Sequence, residues 1–130
     1  MRVMIDSNVI VSAVYNQDSK PATVLSHVCD FHTLILCDYI VKECLNVVGR
    51  KFPQQLPVLH KLFASLGYQL ITTPLTEVSA INPKDSPILN AAILSDTDII
   101  ISGDKHFLSL DIGHPTMLSP TQYFEQYISG

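Results

Sequence analysis

Four acids in this chain sit where side chains can do chemistry: Asp6, Glu43, Asp85 and Asp104. Asp6 ends the apolar run Val3–Met4–Ile5 in the stretch MIDSN, and Asp104 follows the apolar stretch DIIIS across Gly103. Asp85 precedes a helix opened by Pro87, and Glu43 lies in the first turns of a helix opened near Asp38. Four carboxylates brought together would repel one another and shift their pKa values unless a cation sat among them. An all-oxygen donor set suits Mg²⁺ or Mn²⁺, which keep several waters and recruit phosphate oxygens. Such an ion lowers the pKa of a water and stabilises charge on a leaving oxygen, so hydrolysis of a phosphodiester is the natural chemistry. No glycine-rich phosphate loop, HExxH element or nucleophilic triad order competes with it.

Each acid alone has a simpler reading. Asp6 would cap a helix, Asp85 would stand in a turn beside Pro83, Glu43 would lie on a solvated helix face with Lys42, Arg50 and Lys51, and Asp104 would belong to a turn. The site rests on the four together. Asp96 and Asp98 are expected exposed in a helix-to-strand loop, and Asp18, Asp30 and Asp111 read as loop or cap residues. The five His, at positions 27, 32, 60, 106 and 114, show no ligand spacing.

What must position these acids is an alternation of strands and helices. RVMI (2–5), TLILC (33–37), YQLITT (68–73) and DIIIS (98–102) read as strands, with PTMLS as a short edge strand. Helices are expected over NVIVSAVY, over SKPATVLSHVCD, from Tyr39 to Lys51 with Asp38 as N-cap, and over LPVLHKLFASLG closed by Gly67. Ser86 and Pro87 open another, and PTQYFEQYI closes the chain. Continuous apolar strands alternating with helices indicate a three-layer α/β/α domain around a parallel sheet. Open parallel sheets place their sites beyond the carboxyl ends of the strands, near a switch in strand order. Asp6 and Asp104 fall at strand ends, and Glu43 and Asp85 near helix starts, so all four are expected to converge on one edge.

At 130 residues, 47% of them apolar and 15% charged, the chain reads as one globular domain, 1–130. Its apolar runs are too short to span a bilayer, and MRVMIDS does not look like a signal peptide. Cys29, Cys37 and Cys44 form no CxxC pair and are expected reduced, in a cytoplasmic protein. The net charge of −4 argues against a plain nucleic-acid-binding module, which depends on basic residues, more than against a metal-dependent nuclease.

The stretches MIDSNVIVSA, YIVKECLNVV, KDSPILNAAI, DIIISGDKHFLSL and MLSPTQYFEQY resemble, in order, the successive acid-bearing segments and the terminal segment of PIN-domain proteins. The single motifs are weak, but their succession covers nearly the whole chain and is specific. The resemblance implies that Asp6, Glu43, Asp85 and Asp104 bind the metal, with Asn8 and Ser102 supporting the site through hydrogen bonds. It implies Mg²⁺- or Mn²⁺-dependent cleavage of single-stranded RNA. It also implies the toxin of a toxin–antitoxin pair, dimeric and inhibited by a cognate antitoxin. Relatives often carry one more acid before the third, where this chain has Asn82, which bears on whether one ion or two is held. Lys84 and Lys105, with Arg50 or Lys51, are candidates for holding an RNA backbone, and no aromatic cluster is visible beside the acids. The alternative is a PIN-like module that binds nucleic acid or protein without cutting. A phosphotransfer domain fits worse: Asp6 has no adjacent acid partner and Asn8 stands where a second Asp would be needed.

Overall fold

The computed structural model describes residues 1–73, 86–110 and 112–129, apart from the side chains of Ser86 and His106. Five parallel strands form one sheet in the order β3-β2-β1-β4-β5: β1 (Arg2–Ile5), β2 (Thr33–Cys37), β3 (Tyr68–Ile71), β4 (Ile99–Ile101) and β5 (Thr116–Leu118). Met4 pairs with Ile35 on one side and Ile100 on the other. Val3–Ile5, Leu34–Cys37 and Ile99–Ile101 are buried throughout, as strands covered on both faces must be. The edge strand β3 is wetter, with Leu70 55% exposed.

The helices are α1 (Ser7–Tyr15), α2 (Lys20–Phe31), α3 (Asp38–Lys51), α4 (Leu56–Ser65), α5 (Ser86–Leu94), α6 (Lys105–Leu108) and α7 (Pro120–Tyr123), the last continuing as a π-helical turn over Phe124–Ile128. The strand order runs one way from β1 through β2 to β3, then jumps back across β1 to β4. Right-handed crossovers set the helices that follow β1 and β2 on one face and α5, which precedes β4, on the other. The layers are those of an α/β/α domain, and the order reverses between β1 and β4. A crevice is expected at that point.

Local chemistry accounts for several helix ends. Ser19 caps α2 by accepting from the Ala22 N–H, with Pro21 in the first turn. Ser119 and Gln122 form a reciprocal capping box at α7. Asp96, at φ 57°, turns the chain from α5 towards β4, a left-handed position that Asp tolerates better than most residues.

Three expectations need correcting. Asp38 is the first residue of α3 rather than its cap; the cap position is Cys37, which makes no side-chain cap bond. The Asp38 carboxylate instead accepts from the Tyr39 N–H at 2.9 Å and the Thr73 N–H at 2.8 Å, because the end of β3 comes within reach of it. Gly67 follows the end of α4 without a positive φ; Leu66 goes directly into extended backbone (φ −73°, ψ 133°) to feed β3, so no left-handed glycine cap forms. Asp98 is part-buried rather than exposed, since it accepts from the Arg2 N–H at 2.8 Å and ties the start of β1 to β4. Whether Ser86 caps α5 lies outside the described atoms.

Candidate functional site

The carboxyl ends of β1 and β4 lie side by side, because the Asp6 N–H continues the ladder by donating to the Ile101 carbonyl at 2.9 Å. Asp6 is also the N-cap of α1, in extended backbone (φ −69°, ψ 156°), and one carboxylate oxygen accepts from the Ser7 N–H at 2.7 Å. The simpler reading of Asp6 as a cap is therefore part of the truth. Its other oxygen accepts from the Ser102 hydroxyl at 2.8 Å and from the Asn8 amide at 3.2 Å. Only 5% of Asp6 is exposed, so these donors replace water almost completely.

Asn8 and Ser102 both donate hydrogen bonds to the Asp6 carboxylate. The Asn8 carbonyl oxygen accepts from the Gly103 N–H at 2.9 Å, which fixes the amide so that its NH₂ faces Asp6. Gly103 permits this approach: a Cβ there would come within 3.3 Å of the Asn8 oxygen. The buried Ser102 hydroxyl also accepts from the Asp104 N–H at 3.1 Å, coupling the turn that carries Asp104 to Asp6.

Glu43 approaches from α3, one of whose faces (Ile40, Cys44, Val48) is buried. Its carboxylate accepts a short hydrogen bond from the Ser7 hydroxyl. Ser7 thus sits between two acids, its N–H on Asp6 and its hydroxyl on Glu43. Below it the Cys44 thiol donates weakly to the Ser7 carbonyl at 3.9 Å. Burial raises the Cys44 pKa, helped by Asp6 and Glu43, so it stays a neutral thiol. The role of Ser7 was not foreseen, although its signal is in the sequence, as the residue that follows Asp6 and opens α1.

Burial raises the Asp6 pKa above the ordinary carboxylate value. The bonds from Ser102 and Ser7 oppose this, while the charges of Glu43 and Asp104 add to it. Two of the other three predicted acids, Glu43 and Asp104, therefore act electrostatically on Asp6. Asp104 and Lys105 are exposed. Asp85 and Lys84, with Asn82, lie outside the described residues. Among the described residues no three His, Cys, Asp or Glu are gathered closely enough to hold an ion by themselves. Arg50 and Lys51 are not beside the acids: they end α3, seven and eight residues beyond Glu43, or about 10–12 Å along the helix.

The sequence matches a PIN domain family model over residues 2–106. The chain belongs to the PIN domain family. Solved structures with the same fold include VapBC2 from Rickettsia felis bound to a DNA fragment from their promoter, 16% identical, with a TM-score of 0.68 over 92% of this chain and 98% of that one. DNA-bound VapBC from Salmonella typhimurium is 9% identical, again with a TM-score of 0.68 over 92% and 98% of the two chains. Identities this low speak for the fold alone. No curated protein sequence matches this PIN domain. Among its described residues no helix is long and apolar enough to cross a membrane.

Proposed function

We propose that this PIN domain, residues 1–130, is a Mg²⁺- or Mn²⁺-dependent endoribonuclease that cuts single-stranded RNA, and that it is the toxin of a toxin–antitoxin pair. The observation that carries the reading is the buried Asp6. Its burial and two neighbouring acids oppose its ionisation, while three donors orient its oxygens. A carboxylate prepared at that cost is more useful as a ligand than as a cap.

The donor set fits a hard divalent cation, since Asp6, Glu43 and Asp104 offer only carboxylate oxygens. Asp85, adjoining the start of α5 in sequence, would complete it. The ion, when bound, supplies an activated water and charge neutralisation at the phosphate. Asp6 and Glu43 would hold it, with Ser7 keeping their two carboxylates apart. Asn8 and Ser102 would keep the Asp6 oxygens in one orientation. Asp104, on an exposed turn, would face the open side, and Lys105 beside it, with Lys84, would hold the RNA backbone. The family membership and the likeness to VapBC structures support the toxin reading and a cognate antitoxin, and the proposal takes the protein to be a cytoplasmic homodimer.

A second reading, a PIN-fold binding module that does not cut, is favoured by one observation: the described acids alone do not close around an ion. One experiment separates the two. Mixed-sequence single-stranded RNA is incubated with the protein in Mn²⁺, in Mg²⁺ and in EDTA, beside Asp104→Asn protein purified identically. Cutting that needs the ion and disappears in the variant is the expected result. Cutting no greater than the variant's, with either ion, would refute the nuclease reading.

A further inference from the structure

We propose that a single strand of RNA leaves the acid site along α1 and stacks an unpaired base on Tyr15, a subsite that rests on the ribonuclease reading above. Helices α1 and α3 run side by side in the same direction. They meet at one end through the Ser7–Glu43 hydrogen bond and at the other through the rings of Tyr15 and Phe52, whose centroids are 5.2 Å apart at 42°. Eight residues of helix separate Ser7 from Tyr15, about 12 Å, which a few nucleotides span.

Two adjoining clefts connect these ends, and Ser12 lines both. The first, about 270 Å³, lies against Asn8, Gly103, Pro21 and Pro120, next to the donors that hold Asp6. The second, about 300 Å³, lies against Tyr15, Phe52, Asn16 and Ser19. The second is at the lower bound of the range for small-molecule sites and the first just below it.

The lining favours a nucleobase. Tyr15 is 66% exposed, while its neighbour Phe52 packs against the core. A supported ring with a free face is what a base stacks on without regard to sequence. The Ser12 hydroxyl lines the cleft. Although the Ser19 hydroxyl accepts from the Ala22 N–H and the Asn16 carbonyl oxygen from the Asp18 N–H, the Ser19 O–H and the Asn16 NH₂ can still donate to base edges. The exposed Arg50 and Lys51 immediately precede Phe52, so positive charge for phosphates gathers at this end of a track whose other end is acidic. The ring pair at the far end of α1 was thus hidden in the sequence, because Tyr15 and Phe52 are separated by a whole α/β unit.

The test is fluorescence anisotropy with a labelled mixed-sequence single-stranded RNA and with its duplex. Ca²⁺ is supplied as an oxygen-seeking ion, and melting curves confirm that each variant is folded. Tyr15→Ala and Tyr15→Leu should each weaken single-strand binding about ten-fold, the loss of one base stack. Tyr15→Trp should bind at least as well as the parent, and duplex binding should not respond to any of them. Tyr15→Leu preserves the packing on Phe52 but offers no π-face, so parent-like affinity in that variant would overturn the proposal. So would equal affinity across all variants, which would leave the ring pair to a protein partner, or failure of the parent to bind RNA. A parent that binds through Tyr15 but cuts nothing in Mn²⁺ would sink the nuclease reading and keep the subsite.

Discussion

Replacing Ser102 by Ala measures how the fold maintains a buried negative charge. The Ser102 hydroxyl donates to Asp6 at 2.8 Å and accepts from the Asp104 N–H at 3.1 Å, and the residue is completely buried. Its removal takes one of the donors from a carboxylate that is only 5% exposed. A hydrogen bond to a charged group is worth about 1.5–3 kcal/mol, a neutral one about 1 kcal/mol. At pH 7.5 in EDTA, Ser102→Ala should lose about 2–3 kcal/mol of unfolding free energy, or roughly 10 °C in melting temperature. The pH dependence follows from linkage. The Asp6 pKa is raised in the folded protein, so the unfolded chain releases this proton first as pH rises. Stability therefore falls between the ordinary Asp value and the higher folded one. The Ser102 bond is the largest influence holding that folded value down. Without it the window widens upward, and the variant falls further behind as pH rises. At pH 4 the loss should shrink to about 1 kcal/mol, that of a neutral bond. Urea unfolding of parent, Ser102→Ala, Asp6→Asn and the double variant at both pH values completes a cycle, with a coupling of about 1 kcal/mol or more expected at pH 7.5. Equal losses at the two pH values, or additive single variants, would refute the claim that the Ser102 hydroxyl supports a charge.

Two further outcomes follow from the same geometry. Mn²⁺ at 100 times its dissociation constant should stabilise the protein at pH 7.5 by about 2.7 kcal/mol, and less at pH 5, where protons compete for the carboxylates. Calorimetry should show that gain vanishing in Asp6→Asn, and an unchanged gain would remove Asp6 from the ion site. Asp38→Ala removes the acceptor that joins the start of α3 to Thr73 at the end of β3 and should cost about 1 kcal/mol at pH 7. Hydrogen bonds from Thr73, then from Tyr39, with the charge of Lys42, hold the Asp38 carboxyl below its ordinary value. Its contribution is therefore present above about pH 4 and lost as pH falls through the lower folded value. The difference between parent and Asp38→Ala in urea unfolding should shrink as the pH falls below about 4, and a difference that stays constant or grows on acidification would contradict this.

Much of this architecture is legible in one dimension. Val3–Ile5, Leu34–Cys37 and Ile99–Ile101 are apolar without alternation, which only strands covered on both faces require, so the parallel α/β/α sheet follows from composition and spacing. Ser19, Ser119, Pro21 and Pro120 open helices where their chemistry predicts. Asp6, Glu43 and Asp104 were legible as a set because a parallel sheet sends strand ends and following helix starts to the same edge. What the sequence could not decide depends on how separate elements meet. Asp38 has the residue type of a cap, yet Thr73, thirty-five residues on, takes its carboxylate. Ser7 becomes the bridge between two acids only because α3 lies against α1, and Gly103 matters only because Asn8 comes within bonding distance of its N–H. Tyr15 and Phe52 pair for the same reason. Periodicity and capping are local properties that residue spacing carries, whereas these contacts join positions dozens of residues apart and exist only once the helices are packed.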